Sequence, residues 1–281
     1  MQPKKFKTLA IGVTFSPNLK ANIYEASRLA MLFKANLILL HIGDSSQEKQ
    51  DSLDEILKPF LVDGLQAKVV FQPGEPVISI LKSVKQNNID LLILGALQRE
   101  NFLKYYVGSI ARKITRKAPC SVMLLINPSI ERIPCKHIVV NGIEDEKTEQ
   151  TIATALFVSH ALKTEKLTIV EEISHDEVGT VEDDKSLRKT NLLKERIKRR
   201  EDSRIKTILE HIPENLKSNT NIATQPIFGR RGYSIGHYAQ VVREDLLVMN
   251  APRKSGFWDR LFPHDIEHIL TELPTDVLII Q

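Results

Sequence analysis

Asp90-Leu91-Leu92-Ile93-Leu94-Gly95-Ala96 returns later in the chain as Asp245-Leu246-Leu247-Val248-Met249-Asn250-Ala251, at an offset of 155 residues. A second block, Ala118-Pro119-Cys120-Ser121-Val122-Met123-Leu124-Leu125, returns at the same offset as Leu273-Pro274-Thr275-Asp276-Val277-Leu278-Ile279-Ile280. No gap is needed between the two blocks, so the sequence reads as one folding unit written twice. The apolar run in each block has strand length and no polar alternation, which asks for burial on both faces, as in a parallel sheet covered by helices.

Working outward from these blocks, short apolar runs alternate with longer stretches of helical periodicity. In the first copy the strands are Leu9–Val13, Leu37–Ile42, Ala67–Phe71, Leu91–Leu94 and Val122–Ile126. Between them lie helices over about 18–34, where Ile23, Ala26, Leu29 or Ala30 and Phe33 share a face, a short one over Leu53–Leu61, and one over Val77–Gln86. Gly74-Glu75-Pro76 opens the last of these with proline in its first turn. A further helix over Ser109–Lys117 ends on Arg116 and Lys117, which suit its dipole. The second copy offers Ile138–Asn141, Leu167–Ile173 and Ile222–Pro226 before its own two repeat blocks. The pattern predicts an α/β protein of two tandem open parallel five-stranded sheets with flanking helices, Rossmann-like, with domains over 1–130 and 131–281.

The second copy is the longer one. From strand two to strand three it spans 58 positions against 35 in the first, and the excess falls in a charge-dense stretch from about Asp176 to Glu210. Two readings stand for it: a solvated, partly mobile helical excursion, or a helix that docks a partner. The run Lys194–Arg200 is basic but has no interleaved aromatic residues, so nucleic acid is not expected as a partner.

With 42% hydrophobic and 26% charged residues, 12 glycines and 13 prolines in 281 residues, the composition excludes a disordered or collagen-like chain. A formal charge of +4 is too small to demand a polyanion or an anionic membrane. No apolar stretch reaches the roughly 18 to 20 residues of a membrane span, and Phe15-Ser16-Pro17 stands where a secretory signal would need small residues. Two cysteines, Cys120 and Cys135, build no disulfide framework and fit a reducing cytoplasm.

In an open parallel sheet, ligands bind outside the carboxyl ends of the strands, where helix N-termini present unpaired N–H groups. After strand four comes Gly95-Ala96-Leu97-Gln98, then nine residues, then Gly108-Ser109 at the head of a helix. Glycine lets the backbone approach an anion closely, and Ser109 either donates to that anion or caps the helix. On spacing alone both readings stay open.

Rhythm and spacing together resemble the universal stress protein family, whose domains carry after strand four a phosphate loop of the form G-x-x-G-(nine residues)-G-(S/T). The text from Gly108 through Ala118-Pro119-Cys120-Ser121-Val122 is similar to the family's ending, as is Gln72-Pro73-Gly74-Glu75-Pro76. The resemblance covers residues 5 to 127 well and 135 to 281 more faintly. It implies a cytoplasmic stress-response regulatory or binding protein of tandem form, with ATP or another adenine nucleotide as ligand in the first copy. Carried over position by position, the site comprises Val13 and Thr14, the apolar adenine contact Ile42, and the loop residues Gly95, Gln98, Gly108, Ser109 and Ile110. Two positions depart from the pattern. Thr14 replaces the aspartate that accepts hydrogen bonds from the nucleoside, and Gln98 replaces the second loop glycine; each change weakens affinity, and Arg99 and Lys104 offset part of it if they point inward. The resemblance also implies that Val122–Ile126 and Val277–Ile280 pair antiparallel, making the chain an internal dimer that can assemble further.

The second copy has lost the loop, since Asn250, Arg253, Pro263 and His264 stand at the matching positions, and proline supplies no N–H. His264 and His268 have a zinc-compatible spacing but no third ligand, so no metal is expected. Trp258 and Phe262 read as packing residues, and Gly229-Arg230-Arg231-Gly232-Tyr233 as a turn with solvated charges. His237 and Tyr238 have no nucleophile beside them, and there is no Walker lysine or paired carboxylate, so the chain is not expected to be an enzyme. The alternatives are a nucleotide-free scaffold for a protein client, or a weak ATP-hydrolysing enzyme.

Overall fold

A computed structural model describes residues 2–98, 105–174, 184–230, 232–251 and 265–281. The first half runs β1 (Thr8–Val13), α1 (Leu19–Phe33), β2 (Asn36–Ile42), α2 (Gln47–Val62), β3 (Ala67–Gln72), α3 (Pro76–Gln86), β4 (Leu91–Gly95), β5 (Leu97–Gln98), β6 (Tyr105–Tyr106), α4 (Ser109–Lys117) and β7 (Ser121–Leu125). The second half runs β8 (His137–Asn141), α5 (Thr148–Leu162), β9 (Lys166–Ser174), α6 (Asp184–Glu210), β10 (Asn221–Gly229), α7 (Tyr233–Val242), β11 (Leu246–Asn250), α8 (Asp265–Thr271) and β12 (Asp276–Ile280).

The chain folds into two compact units. The N-terminal unit gathers Lys5–Pro134 with Leu270–Gln281, and the C-terminal unit gathers Cys135–Asn250 with the stretch that ends at Ile269. In the N-terminal unit the strand order is β12-β7-β4-β1-β2-β3. Every pair in it is parallel except the last strand, which runs antiparallel to β7 with Val277 opposite Leu124 and Ile279 opposite Val122. In the C-terminal unit the order is β10-β9-β8-β11, all parallel. The order β3-β2-β1-β4 of one unit is thus repeated in the other, and both are α/β sheets with flanking helices.

The repeat block has a structural cause. Asp90 Oδ2 accepts the backbone N–H groups of Lys7 and Thr8, at 2.9 and 3.0 Å, and so fixes the start of β1. Asp245 Oδ2 accepts those of Lys136 and His137, at 2.7 and 2.9 Å, at the start of β8. The apolar residues that follow each aspartate are buried, as continuous strand hydrophobicity requires.

Three elements differ from the sequence expectation. Helix α2 begins at Gln47 rather than Leu53 because Ser46 caps it, its hydroxyl accepting from Lys49 N, and its first turns are polar and show no apolar period. Gln98 stands in the short antiparallel ribbon β5–β6, opposite Tyr105, rather than in plain loop. The charged excursion is helical over 184–210, yet it is not solvated all round: Thr190, Ile197, Glu201, Ile205 and Ile208 are buried. Residues 175–183, Arg99, Lys104, Arg231, Arg253 and the cluster from Gly256 to His264, with the loop positions Pro263 and His264, lie outside the described residues.

Candidate functional site

The strands β1, β2, β3, β4 and β7 of the N-terminal unit are parallel, so their carboxyl ends share one edge. Register places Val13 of β1 beside His41 of β2. The pairing of β1 with β4, carried two residues on from Ile11 opposite Ile93, sets Gly95 beside Val13 on the other side. Val13, His41 and Gly95 therefore form one row at the end of the three central strands, and β1 is flanked on both sides by strands that leave in opposite directions in the sequence order, the topological condition for a ligand crevice.

His41 Nδ1 lies 3.1 Å from the Val13 carbonyl oxygen. A carbonyl only accepts, so Nδ1 carries the hydrogen and Nε2 is left as an acceptor in the neutral ring. Gly43, with φ of +148°, follows at once, and a Cβ there would come within 3.0 Å of His41 Nε2; glycine both tolerates that backbone and leaves room for the ring. The Phe15 ring, 43% exposed, meets His41 edge-on at 5.2 Å, and Phe71 meets it from the β3 side at 5.7 Å. Lys49 Nζ stands 5.8 Å from the Phe15 ring centroid and donates to the Asp44 carbonyl. An aromatic and basic surface thus covers the ends of β1, β2 and β3. Sequence reasoning named Ile42 and Thr14 here but missed Phe15, His41 and Phe71; the available signal was a ring at the last-but-one position of β2 and of β3 and another two residues past β1.

The other side of the row offers hydrogen-bond donors. Helix α4 starts at Ser109 with Gly108 as its N-cap, and no side chain caps it. Its first main-chain bond runs from Arg112 N to Gly108 O, so the N–H groups of Ser109, Ile110 and Ala111 precede the helical ladder. Ser109 and Ile110 are exposed. Helix α1, which begins on the same edge, is also without a side-chain cap at Asn18. Near Gly95 lies Asn22, whose side-chain oxygen would be 3.3 Å from a Cβ at position 95 and is itself buried without a hydrogen-bond partner. Thr14, exposed just past β1, keeps its carbonyl engaged by Ser16 N.

Of the residues expected to form the site, Val13, Thr14, Ile42, Gly95, Gly108, Ser109 and Ile110 lie at this carboxyl edge or at the α4 N-terminus. Gln98 is in the β5–β6 ribbon between them. The described residues contain no group of three or more His, Cys, Asp or Glu that would hold a metal ion. No described helix is long and apolar enough to cross a membrane.

A row of parallel strand ends with helix N-termini on the same edge is the place where open α/β sheets take up ligands. Residues 43–125 match the model of the universal stress protein family. The chain is 26% identical over 146 residues to the universal stress protein YxiE of Bacillus subtilis, an alignment that takes in 43% of this chain and 99% of that protein. Its fold is similar to that of a functionally unknown protein, PA1789, from Pseudomonas aeruginosa, at TM-score 0.71 and 16% identity over 99% of this chain and 93% of the other. A universal stress protein from Archaeoglobus fulgidus gives 0.67 and 15% over 98% of each chain. The chain thus resembles the universal stress protein family, in sequence within its first half and in fold along nearly its whole length.

Proposed function

We propose that the chain is a cytoplasmic stress-response binding protein, built of two copies that meet near residue 130, with one adenine-nucleotide site at the carboxyl edge of the N-terminal unit and no catalytic turnover. The observation that carries this reading is the row of Val13, His41 and Gly95 beside the uncapped start of α4. The residues present fit the group. The N–H groups of Ser109, Ile110 and Ala111 with the positive end of the helix dipole suit phosphate oxygens, and Gly108 admits close approach. The nucleoside end is altered: Thr14 offers a neutral hydroxyl, while Phe15 and His41 offer ring faces and edges against which a purine can stack.

Triphosphate, diphosphate and monophosphate forms of adenosine, titrated in a calorimeter, test the proposal. The reading predicts weak binding, with Kd on the order of 0.1 mM, lost in Gly108→Val, and phosphate release no faster than background. Thr14 and Gln98 in place of the family's aspartate and glycine favour a second reading, a nucleotide-free scaffold that recruits a protein client. Absence of heat with all three nucleotides would leave that reading alone.

A further inference from the structure

Each unit ends on an edge strand, β3 in the N-terminal unit and β10 in the C-terminal unit. In parallel pairing each residue turns its N–H and C=O toward one neighbour, and successive residues alternate. Leu37 N donates to Gln66 O at 2.9 Å and Gly43 N to Gln72 O at 3.0 Å, so Gln66, Lys68, Val70 and Gln72 bond toward β2. Ala67, Val69 and Phe71 therefore turn their N–H and C=O groups away from β2, to the side where no further strand lies among the described residues. All three are half-buried, and none is charged.

The edge of the C-terminal unit is blunted. Asn221 N donates to Glu165 O at 2.9 Å, which turns Asn221 toward β9 and leaves Ile222, Thr224, Pro226 and Phe228 facing outward. Pro226 has no N–H to offer there, and proline at an outward position is one of the ways an edge strand is kept from pairing. Helix α6 reaches the same outward residues: Asp202 accepts from Thr224 at 2.9 Å, and Lys194 Nζ stands 5.1 Å from the Phe228 ring centroid. Strand β3 is different. It contains no proline, and its one charged residue, Lys68, donates to Asn87 at the C-cap of α3. Helix α2, which leads into β3, ends on exposed Leu61 and Val62, and α3, which leaves it, carries exposed Ile78 in its first turn.

We propose that two copies of the chain join by antiparallel pairing of β3 with β3 about a two-fold axis at Val69. The edge is complementary to itself. With Val69 opposite Val69 of the second copy, Ala67 stands opposite Phe71 and Phe71 opposite Ala67, and each of these pairs exchanges both of its N–H···O bonds. Lys68 falls opposite Val70 and Gln66 opposite Gln72, so no like charges meet across the seam. A slip of one residue opposes outward groups to inward ones, and a slip of two loses a bonded pair, so this register is the one that satisfies the edge. Antiparallel pairing also brings the start of one β3 beside the end of the other, which sets Leu61 and Val62 of one copy at the same end of the seam as Ile78 of the other.

Sedimentation equilibrium of the full chain at about 0.1 mM should give twice the mass of one chain. Val69→Lys and Val69→Glu each place like charges face to face on the axis and should each weaken self-association roughly tenfold or more, whereas their equimolar mixture at low salt should sediment as the dimer again. Val69→Pro removes an N–H that β2 does not use and should behave as the two charged variants do alone. A dimer that all three variants leave intact, or a charged pair that fails to reassociate, would overturn the proposal. So would a single-chain mass for the unmodified protein, which would leave the edge to an extended segment of another protein. If the variants do not fold, the unmodified chain decides: from about 1 µM to 0.1 mM the amides of Ala67, Val69 and Phe71 should exchange progressively more slowly, and exchange independent of concentration would equally refute the idea.

Discussion

Asp90 shows how a single side chain sets a strand. Its carboxylate receives two backbone N–H groups at the start of β1, and charge-assisted bonds of this kind are the stronger ones. Asp90→Ala should therefore destabilise the chain by about 2 kcal/mol, read as a lower urea midpoint at unchanged m-value. Buried carboxyls act in the other direction. Desolvation pushes both Glu171 and Glu244 up to about 8, in each case as the leading cause. Since the unfolded carboxyl ionises near 4.5, the folded state holds protons that the unfolded state has released between pH 4.5 and 8. The stability from each group is complete below 4.5, falls through that window and levels off above 8, at a slope of up to about 1 kcal/mol per pH unit. His137, whose value burial lowers, works oppositely and costs stability as pH falls below its unfolded 6.5. The stability difference between Glu171→Gln and the unmodified protein isolates one group: it should grow from pH 5 to 8 in favour of the variant and then stay constant. A flat difference would contradict the assigned protonation.

At the scale of elements, α4 and α6 show what the sequence does and does not disclose. Helix α4 has the bounds that its apolar spacing and its terminal Arg116 and Lys117 suggest, because a short amphipathic helix between two buried strands has one way to lie. Its glycine N-cap was visible as Gly108-Ser109, and so was the candidate anion site. Helix α6 was visible as a charged helix, but its burial was not. Leu187, Leu192 and Leu193 are exposed, while Glu201 is buried with its carboxylate met by Arg200 and Arg204, and Arg204 is half-buried, donating to the Gly142 carbonyl. Partners more than thirty residues away decide which charges are solvated, and no local period records that. The buried residues lie from Thr190 onward and concentrate between Ile197 and Ile208. Amide exchange in α6 should accordingly be slow over 197–208 and fast over 186–189. Uniformly fast exchange would restore the solvated excursion first expected from composition.

For the molecule as a whole, the four-strand order common to both units follows from a duplicated block, and that much was legible: continuous apolar runs preceded by aspartate, in phase over 155 residues, admit few topologies. The grouping of β12 with the N-terminal unit is a long-range matter, carried by pairing with β7 and by the bond from Ile126 N to Asp276. What differs between the units is the content of the carboxyl edge. One keeps bare helix N-termini and an open aromatic surface; the other places Arg204 between Gly142 and two glutamates. That asymmetry is measured most directly by the stoichiometry of ATP binding in a calorimeter, on the full chain and on Gly108→Val. The account predicts one nucleotide per chain and none in the variant; two per chain, or one that survives Gly108→Val, would contradict it.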